Sequence, residues 1–259
     1  MADKISAPKV RSMKGKRVVC ITAYDTPFAN LADEAGVDLI LVGDSLGNVV
    51  LGYENTIPVT LEEMIHHTRA VRRGVRRALL VADLPFGTYQ ASVSQAVESS
   101  VALVKAGAEA IKLEGVYLEA IEAIIKAGIP VMGHLGFTPQ SLNAFGGFRV
   151  QGKGDSGEIV LQDAKELDRV GVFSTVLELI PAKLAESITA QVSYPTIGIG
   201  AGAGCDGEIQ VMHDVLGITG EPLKHAKAFT PGRQLLLKAM QEFAEEVRAG
   251  TFPGPENAF

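Results

Sequence analysis

The chain of 259 residues is 47% hydrophobic and 21% charged, a globular composition that suits one large α/β barrel or two small domains. A net charge of -6 argues against nucleic acid as the main partner, and no apolar run approaches the roughly 18 residues a membrane span needs. The basic start from Met1 to Arg17 lacks the apolar stretch of a secretory signal, and two cysteines, Cys20 and Cys205, are too few for a disulfide framework; a reducing cytoplasm is expected.

In chain order, the first predicted strand is 18–22. A helix follows that Thr26 can cap and Pro27 can open, with Phe28, Leu31, Ala32 and Ala35 on one apolar stripe. It stops at Gly36, and a strand follows at 39–42. A helix from about Leu61 ends in Arg72, Arg73, Arg76 and Arg77; these cations suit a helix C-terminus, a subunit contact or a bound anion. A strand at 79–82 leads to a helix with Val93, Ala96, Val97, Val101 and Val104 inward, stopping at Gly107. Strand 110–114, a helix marked by Leu118, Ile121 and Ile125, and a stop at Gly128 come next. Strand 129–133 and a helix carrying Leu161, Ala164, Leu167 and Val170 end at Gly171. Strands at 173–178 and 195–199 follow, and a last, less apolar one at 224–229. Each glycine stop reflects the left-handed conformation that ends many helices.

Short apolar runs alternating with helices indicate a parallel sheet covered on both faces. Eight such units predict a single-domain (β/α)8 TIM barrel over residues 1–259, with an N-terminal extension and a C-terminal tail; a doubly wound open sheet is the alternative.

Ionisable residues gather at the C-terminal strand ends: Asp44 with Ser45, Asp83, Lys112 with Glu114, His134 and Glu178. In a parallel barrel these ends share one rim, where such enzymes build their sites. Strand alternation puts Lys112 and Glu114 on one face. A single Asp after a strand can simply cap a turn. Several acids at one rim repel each other unless something positive lies between them, either a divalent cation such as Mg²⁺ or Lys112 itself. His134 reads as a hydrogen-bonded wall or a substrate contact. The long segments 45–59 and 135–157 leave the same rim and are expected to be binding loops, whose aromatic residues either stack on a flat heterocycle or pin the loops to the barrel. Gly202 to Gly207 matches G-x-G-x-x-G, but late in the chain and with the following acids too close for a dinucleotide site; a close turn or an anion pocket fits better.

Laid end to end, the phrases Ile21-Thr-Ala-Tyr-Asp25, Val42-Gly-Asp-Ser-Leu-Gly47, Val81-Ala-Asp-Leu-Pro-Phe86, Ile111-Lys-Leu-Glu114, Gly133-His-Leu-Gly-Phe-Thr-Pro-Gln-Ser141, Leu177-Glu178, Ile197-Gly-Ile-Gly-Ala-Gly202, Val211-Met-His-Asp214 and Phe252-Pro-Gly-Pro-Glu-Asn257 closely resemble the ketopantoate hydroxymethyltransferase family. They occur in family order over nearly the whole chain. The resemblance implies a barrel enzyme that moves a one-carbon unit from 5,10-methylenetetrahydrofolate to 3-methyl-2-oxobutanoate, giving ketopantoate for pantothenate biosynthesis. It implies Asp44 and Asp83 as Mg²⁺ ligands, Glu114 as a further or outer one, Ser45 and Lys112 as keto-acid contacts, and Glu178 as proton acceptor. Large homo-oligomers, typically decamers, are also implied. Glu208 departs from the usual Gln, and Phe137 from the common Leu.

The residues suit that chemistry. A 2-keto acid chelates a metal through carboxylate and keto oxygens, and the Lewis acid makes the neighbouring C–H acidic and stabilises the enolate. Lys112 adds positive charge where the oxyanion develops. Glu178, between Leu177 and Leu179, is a carboxylate left for the proton, or else a salt-bridge partner. The alternatives are a keto-acid carbon–carbon lyase of the isocitrate lyase type, for which neither cysteine is well placed, and a non-catalytic metabolite binder, which has no need of a spare base.

Overall fold

Apolar, β-branched runs form the strands, and amphipathic helices cover them. The structure, a computed structural model, describes residues 3–220 and 223–259; Met1 and Ala2 of the expected N-terminal extension lie outside these. The strands are β1 (Val18–Thr22), β2 (Leu39–Val42), β3 (Leu79–Asp83), β4 (Ala110–Lys112), β5 (Val131–Gly136), β6 (Ser174–Glu178), β7 (Thr196–Ile199) and β8 (Gly207–Gln210). The helices are α1 (Ala7–Arg11), α2 (Thr26–Glu34), α3 (Leu46–Val49), α4 (Leu61–Gly74), α5 (Val93–Ala106), α6 (Leu118–Lys126), α7 (Leu142–Phe145), α8 (Ser156–Val170), α9 (Ala182–Gln191), α10 (Met212–Val215) and α11 (Gly232–Ala249). All strands are parallel and close a barrel in chain order, β1 pairing with both β2 and β8. The (β/α)8 expectation therefore holds. The barrel lies within the compact unit Met1–Val211, while Met212–Phe259 forms a second unit containing α10 and α11.

Seven strands fall where the apolar runs predict them. The eighth does not: residues 224–229 form no strand, and β8 is the segment Gly-Glu-Ile-Gln, in which Ile209 is the only large apolar side chain facing inward. Residues 200–206 join β7 to β8 without a helix. The glycine-rich motif runs through this link into Gly207 of β8, so a strand and no helix N-terminus follows it and the dinucleotide reading falls away. Gly202 has φ +78, and a Cβ there would lie 2.6 Å from Ala182 Cβ at the start of α9; the glycine lets the link pack closely against that helix end. Arg17 fastens it, donating to the carbonyls of Ala203 at 3.2 Å and Cys205 at 2.6 Å.

Helix ends follow local chemistry. Asp25, not Thr26, caps α2 by accepting from the Phe28 N–H at 2.9 Å; the Thr26 hydroxyl donates instead to Ala70 O at 2.7 Å. Thr60 and Glu63 form a reciprocal capping box on α4. The predicted stops Gly36, Gly107, Gly128 and Gly171 have φ of +84, +117, +87 and +90. In the arginine cluster, Arg72 pairs with Glu109 at 3.4 Å and Arg77 with Asp38 at 3.3 Å, so these two cations serve structure rather than an anion.

The barrel interior is layered. α1 lies at the N-terminal ends of the strands: Ile5, Ala7 and Val10 join the core that holds Leu79, Val81, Ala110, Met132 and Val176. Arg11 donates to the Val172 carbonyl and to Ser193 Oγ, and Lys14 donates to Asp206 at 2.9 Å. With that end sealed, the other rim is left for chemistry. Two residues beyond the inward Val81, Ala110, Met132 and Val176 stand Asp83, Lys112, His134 and Glu178, so strand alternation carries all four into the top layer.

Candidate active site

β3 and β4 set the first contact. They pair in a register that places Asp83 opposite Lys112, and Lys112 Nζ donates to Asp83 Oδ1 at 2.6 Å with both side chains buried. The turn after β2 brings the Asp44 backbone N–H to Asp83 Oδ2 at 3.1 Å. Ser45 opens α3 beside it, and its Oγ lies 2.9 Å from the Tyr24 hydroxyl. Glu114 lies beyond the end of β4 yet is as buried as Lys112. His134, within β5 rather than after it, stands between two acids, with Nδ1 3.5 Å from Glu114 Oε1 and Nε2 3.2 Å from Glu178 Oε2. Every site residue read from the sequence therefore joins one rim cluster.

The electrostatics are lopsided. Burial drives the Asp44 carboxyl well above its ordinary value, and the charges of Asp83 and Glu114 push it further; Lys112 and Gln140 only partly oppose this. Burial also raises Asp83, against the pull of Lys112. Burial works against charge on Lys112, but Asp83, Glu114 and Asp44 together raise it above the ordinary lysine value, so it stays protonated. Burial and Lys112 would lower His134, but Glu114 and Glu178 outweigh them and hold it up at about 9. Both ring nitrogens of His134 and Glu114 Oε1 are buried within ion-pair distance of one another or of Glu178, yet none makes a well-formed hydrogen bond. Such atoms in a closed core are unusual and suit a site completed by a ligand.

This donor set fits a divalent cation. Asp44 and Asp83 are adjacent and buried, with the Lys112 ammonium bonded to Asp83, and Mg²⁺ typically takes one or two carboxylates plus water and substrate oxygens. Among the described residues no group of three or more His, Cys, Asp and Glu is arranged to hold a metal. Glu114 is engaged elsewhere: Oε2 accepts the Gln140 N–H at 2.9 Å, and Oε1 faces His134.

Sequence reasoning missed Gln140, Tyr89 and Tyr24. Gln140 Nε2 donates to Asp44 Oδ2 at 2.8 Å, and Gln140 Oε1 accepts from the Tyr89 hydroxyl at 2.7 Å. Neutral side chains outside the main strands and helices carry no periodic signal; Tyr24 and Gln140 fall inside the quoted phrases, and Tyr89 falls inside none. In the second loop Phe137 is fully buried, with the rings of Phe145 and Phe148 at 5.9 and 5.0 Å, while Phe148 itself is 71% exposed; one ring pins the loop and another is presented to solvent. Cys20 and Cys205 are both buried, and burial pushes both thiols up, so neither is a poised nucleophile.

A parallel barrel whose C-terminal rim gathers buried acids around a protonated lysine has the place and the groups of a barrel-enzyme active site equipped for acid–base chemistry. The comparisons narrow this. A profile of the ketopantoate hydroxymethyltransferase family matches residues 4–255. The 3-methyl-2-oxobutanoate hydroxymethyltransferase of Aeropyrum pernix is 51% identical over 98% of this chain and 94% of its own length. The protein of the same name from Thermotoga maritima is 50% identical over 98% of this chain and 96% of its own. The chain belongs to the ketopantoate hydroxymethyltransferase family. Among solved structures, a phosphonopyruvate hydrolase complex with oxalate and Mg²⁺ aligns with a TM-score of 0.63 at 14% identity, covering 98% of this chain and 93% of that one. A 2,3-dimethylmalate lyase of the PEP mutase/isocitrate lyase superfamily aligns at 0.61 and 16%, over 96% and 89%. At such identities the likeness concerns the fold alone.

Proposed function

We propose that this chain transfers a hydroxymethyl unit from 5,10-methylenetetrahydrofolate to 3-methyl-2-oxobutanoate, giving 2-dehydropantoate (ketopantoate) for pantothenate biosynthesis. Membership of the family carries the reading, and the rim geometry supports it. Asp44 and Asp83 are the residues to hold Mg²⁺, whose contribution when bound is Lewis acidity toward the 2-keto acid, making its C3–H acidic. Lys112, protonated and fixed by Asp83, offers positive charge where the keto oxygen gains negative charge. Ser45 and His134 are contacts for the keto acid. Glu178 accepts the C3 proton; its side chain is 16% exposed where those of its neighbours Glu114 and His134 are 3%, so it faces the open side of the cluster. The C3 carbon then bonds to the methylene unit released by the folate, and water supplies the hydroxyl oxygen.

Two free, buried cysteines suit a reducing cytoplasm, and no helix among the described residues is long and apolar enough to cross a membrane. We assign a homo-oligomeric state, with a decamer as the family expectation. The exposed stripe Leu236, Met240, Phe243 and Val247 on α11 supports it. The test is product analysis: the purified chain with both substrates and Mg²⁺ is expected to form ketopantoate and to stop when the metal is chelated. Cleavage of a keto acid without any condensation would favour the lyase reading instead.

A further inference from the structure

Gln140 is more than 95 residues distant in sequence from Asp44, yet its carboxamide is the side chain that grips that acid. All of its hydrogen-bonding capacity is used. The two Nε2 hydrogens go to Asp44 Oδ2 at 2.8 Å and to the Leu84 carbonyl at 2.9 Å; Oε1 accepts from Tyr89 Oη at 2.7 Å and from Gln90 Nε2 at 3.2 Å. Flipping the amide would aim its oxygen at two acceptors, so the orientation is locked. The same residue donates its backbone N–H to Glu114 Oε2 at 2.9 Å. One residue thus holds one oxygen of Asp44 and one of Glu114, and leaves Asp44 Oδ1 and Glu114 Oε1 for other partners. A glutamate here would put a further carboxylate against Asp44; a leucine would release Asp44 to rotate.

We propose that Gln140 is a positioning residue that fixes the Asp44 carboxylate in the orientation needed to bind the divalent cation, with Tyr89 as the group that locks Gln140. The proposal rests on the reading of Asp44 and Asp83 as cation ligands. Networks of this kind act cooperatively, so loss of the central amide should be felt at Asp44 rather than only in overall stability.

The experiment is calorimetric titration of the metal-free full chain with Mg²⁺ alone, alongside thermal unfolding. Gln140→Leu is expected to weaken Mg²⁺ binding about tenfold and to raise the Mg²⁺ concentration giving half-maximal activity by the same factor. Tyr89→Phe, which keeps the amide but removes its lock, should shift both in the same direction by a smaller factor and serves if Gln140→Leu does not fold. Wild-type Mg²⁺ affinity in a folded Gln140→Leu, or in Tyr89→Phe if only that variant folds, overturns the proposal, even if the melting temperature falls. A wild-type chain that binds no Mg²⁺ overturns the cation-site reading and this proposal together.

Discussion

At Asp83 one buried carboxylate accepts from both the Lys112 ammonium and the Asp44 backbone, so it ties together the ends of β2, β3 and β4. Removing it strands a buried cation, and breaking such a pair typically costs about 3–5 kcal/mol. Asp83→Ala is therefore expected to lower the unfolding free energy by about that amount and to abolish Mg²⁺-dependent keto-acid binding in calorimetry. Asp44→Ala strands no ion-pair partner, and is expected to lose the same binding at a smaller cost in stability. Unchanged titrations in both would remove them as ligands. At this scale the charged half of the site was legible: Asp83, Lys112, His134 and Glu178 stand at strand ends, and period-2 alternation fixes their direction. Gln140 and Tyr89 were not, because a neutral side chain on a loop declares its burial only when the loop folds inward.

Between elements, Asp33 at the end of α2 accepts from the backbone N–H groups of Arg76, Arg77 and Ala78 and so fixes the chain leading into β3. Burial pushes its carboxyl up, but these three donors outweigh burial and hold it below its ordinary value of 3.8. A depressed folded-state pKa gives stability that is present above 3.8 and lost as pH falls through the lower folded value. The stability gap between wild type and Asp33→Ala should thus narrow between about pH 5 and pH 2 in denaturant titrations. A gap independent of pH would contradict this. The β7–β8 link gives a second check: Gly202→Val adds bulk against Ala182 at a positive φ and should destabilise by about 1–3 kcal/mol or more in the same assay. That link is also where the sequence was least readable. Strands on both sides of a helix announce themselves by contrast, whereas β8 follows a helix-free stretch with a single inward isoleucine.

For the whole molecule, the barrel is sealed at one end by α1 and carries its chemistry at the other. The α11 stripe is where assembly is expected. Met240→Glu combined with Phe243→Glu should yield a smaller species by analytical ultracentrifugation, and an unchanged mass would take α11 out of the interface. The central claim, that rim acids hold a cation against a 2-keto acid while one glutamate stays free for its proton, is tested most directly by C3 hydrogen exchange. In heavy water, without folate, 3-methyl-2-oxobutanoate should exchange its C3 proton with the wild-type chain only when Mg²⁺ is present, and Glu178→Gln should bind metal and keto acid normally yet exchange nothing. Exchange at the wild-type rate in Glu178→Gln, or undiminished exchange without the metal, would contradict the account.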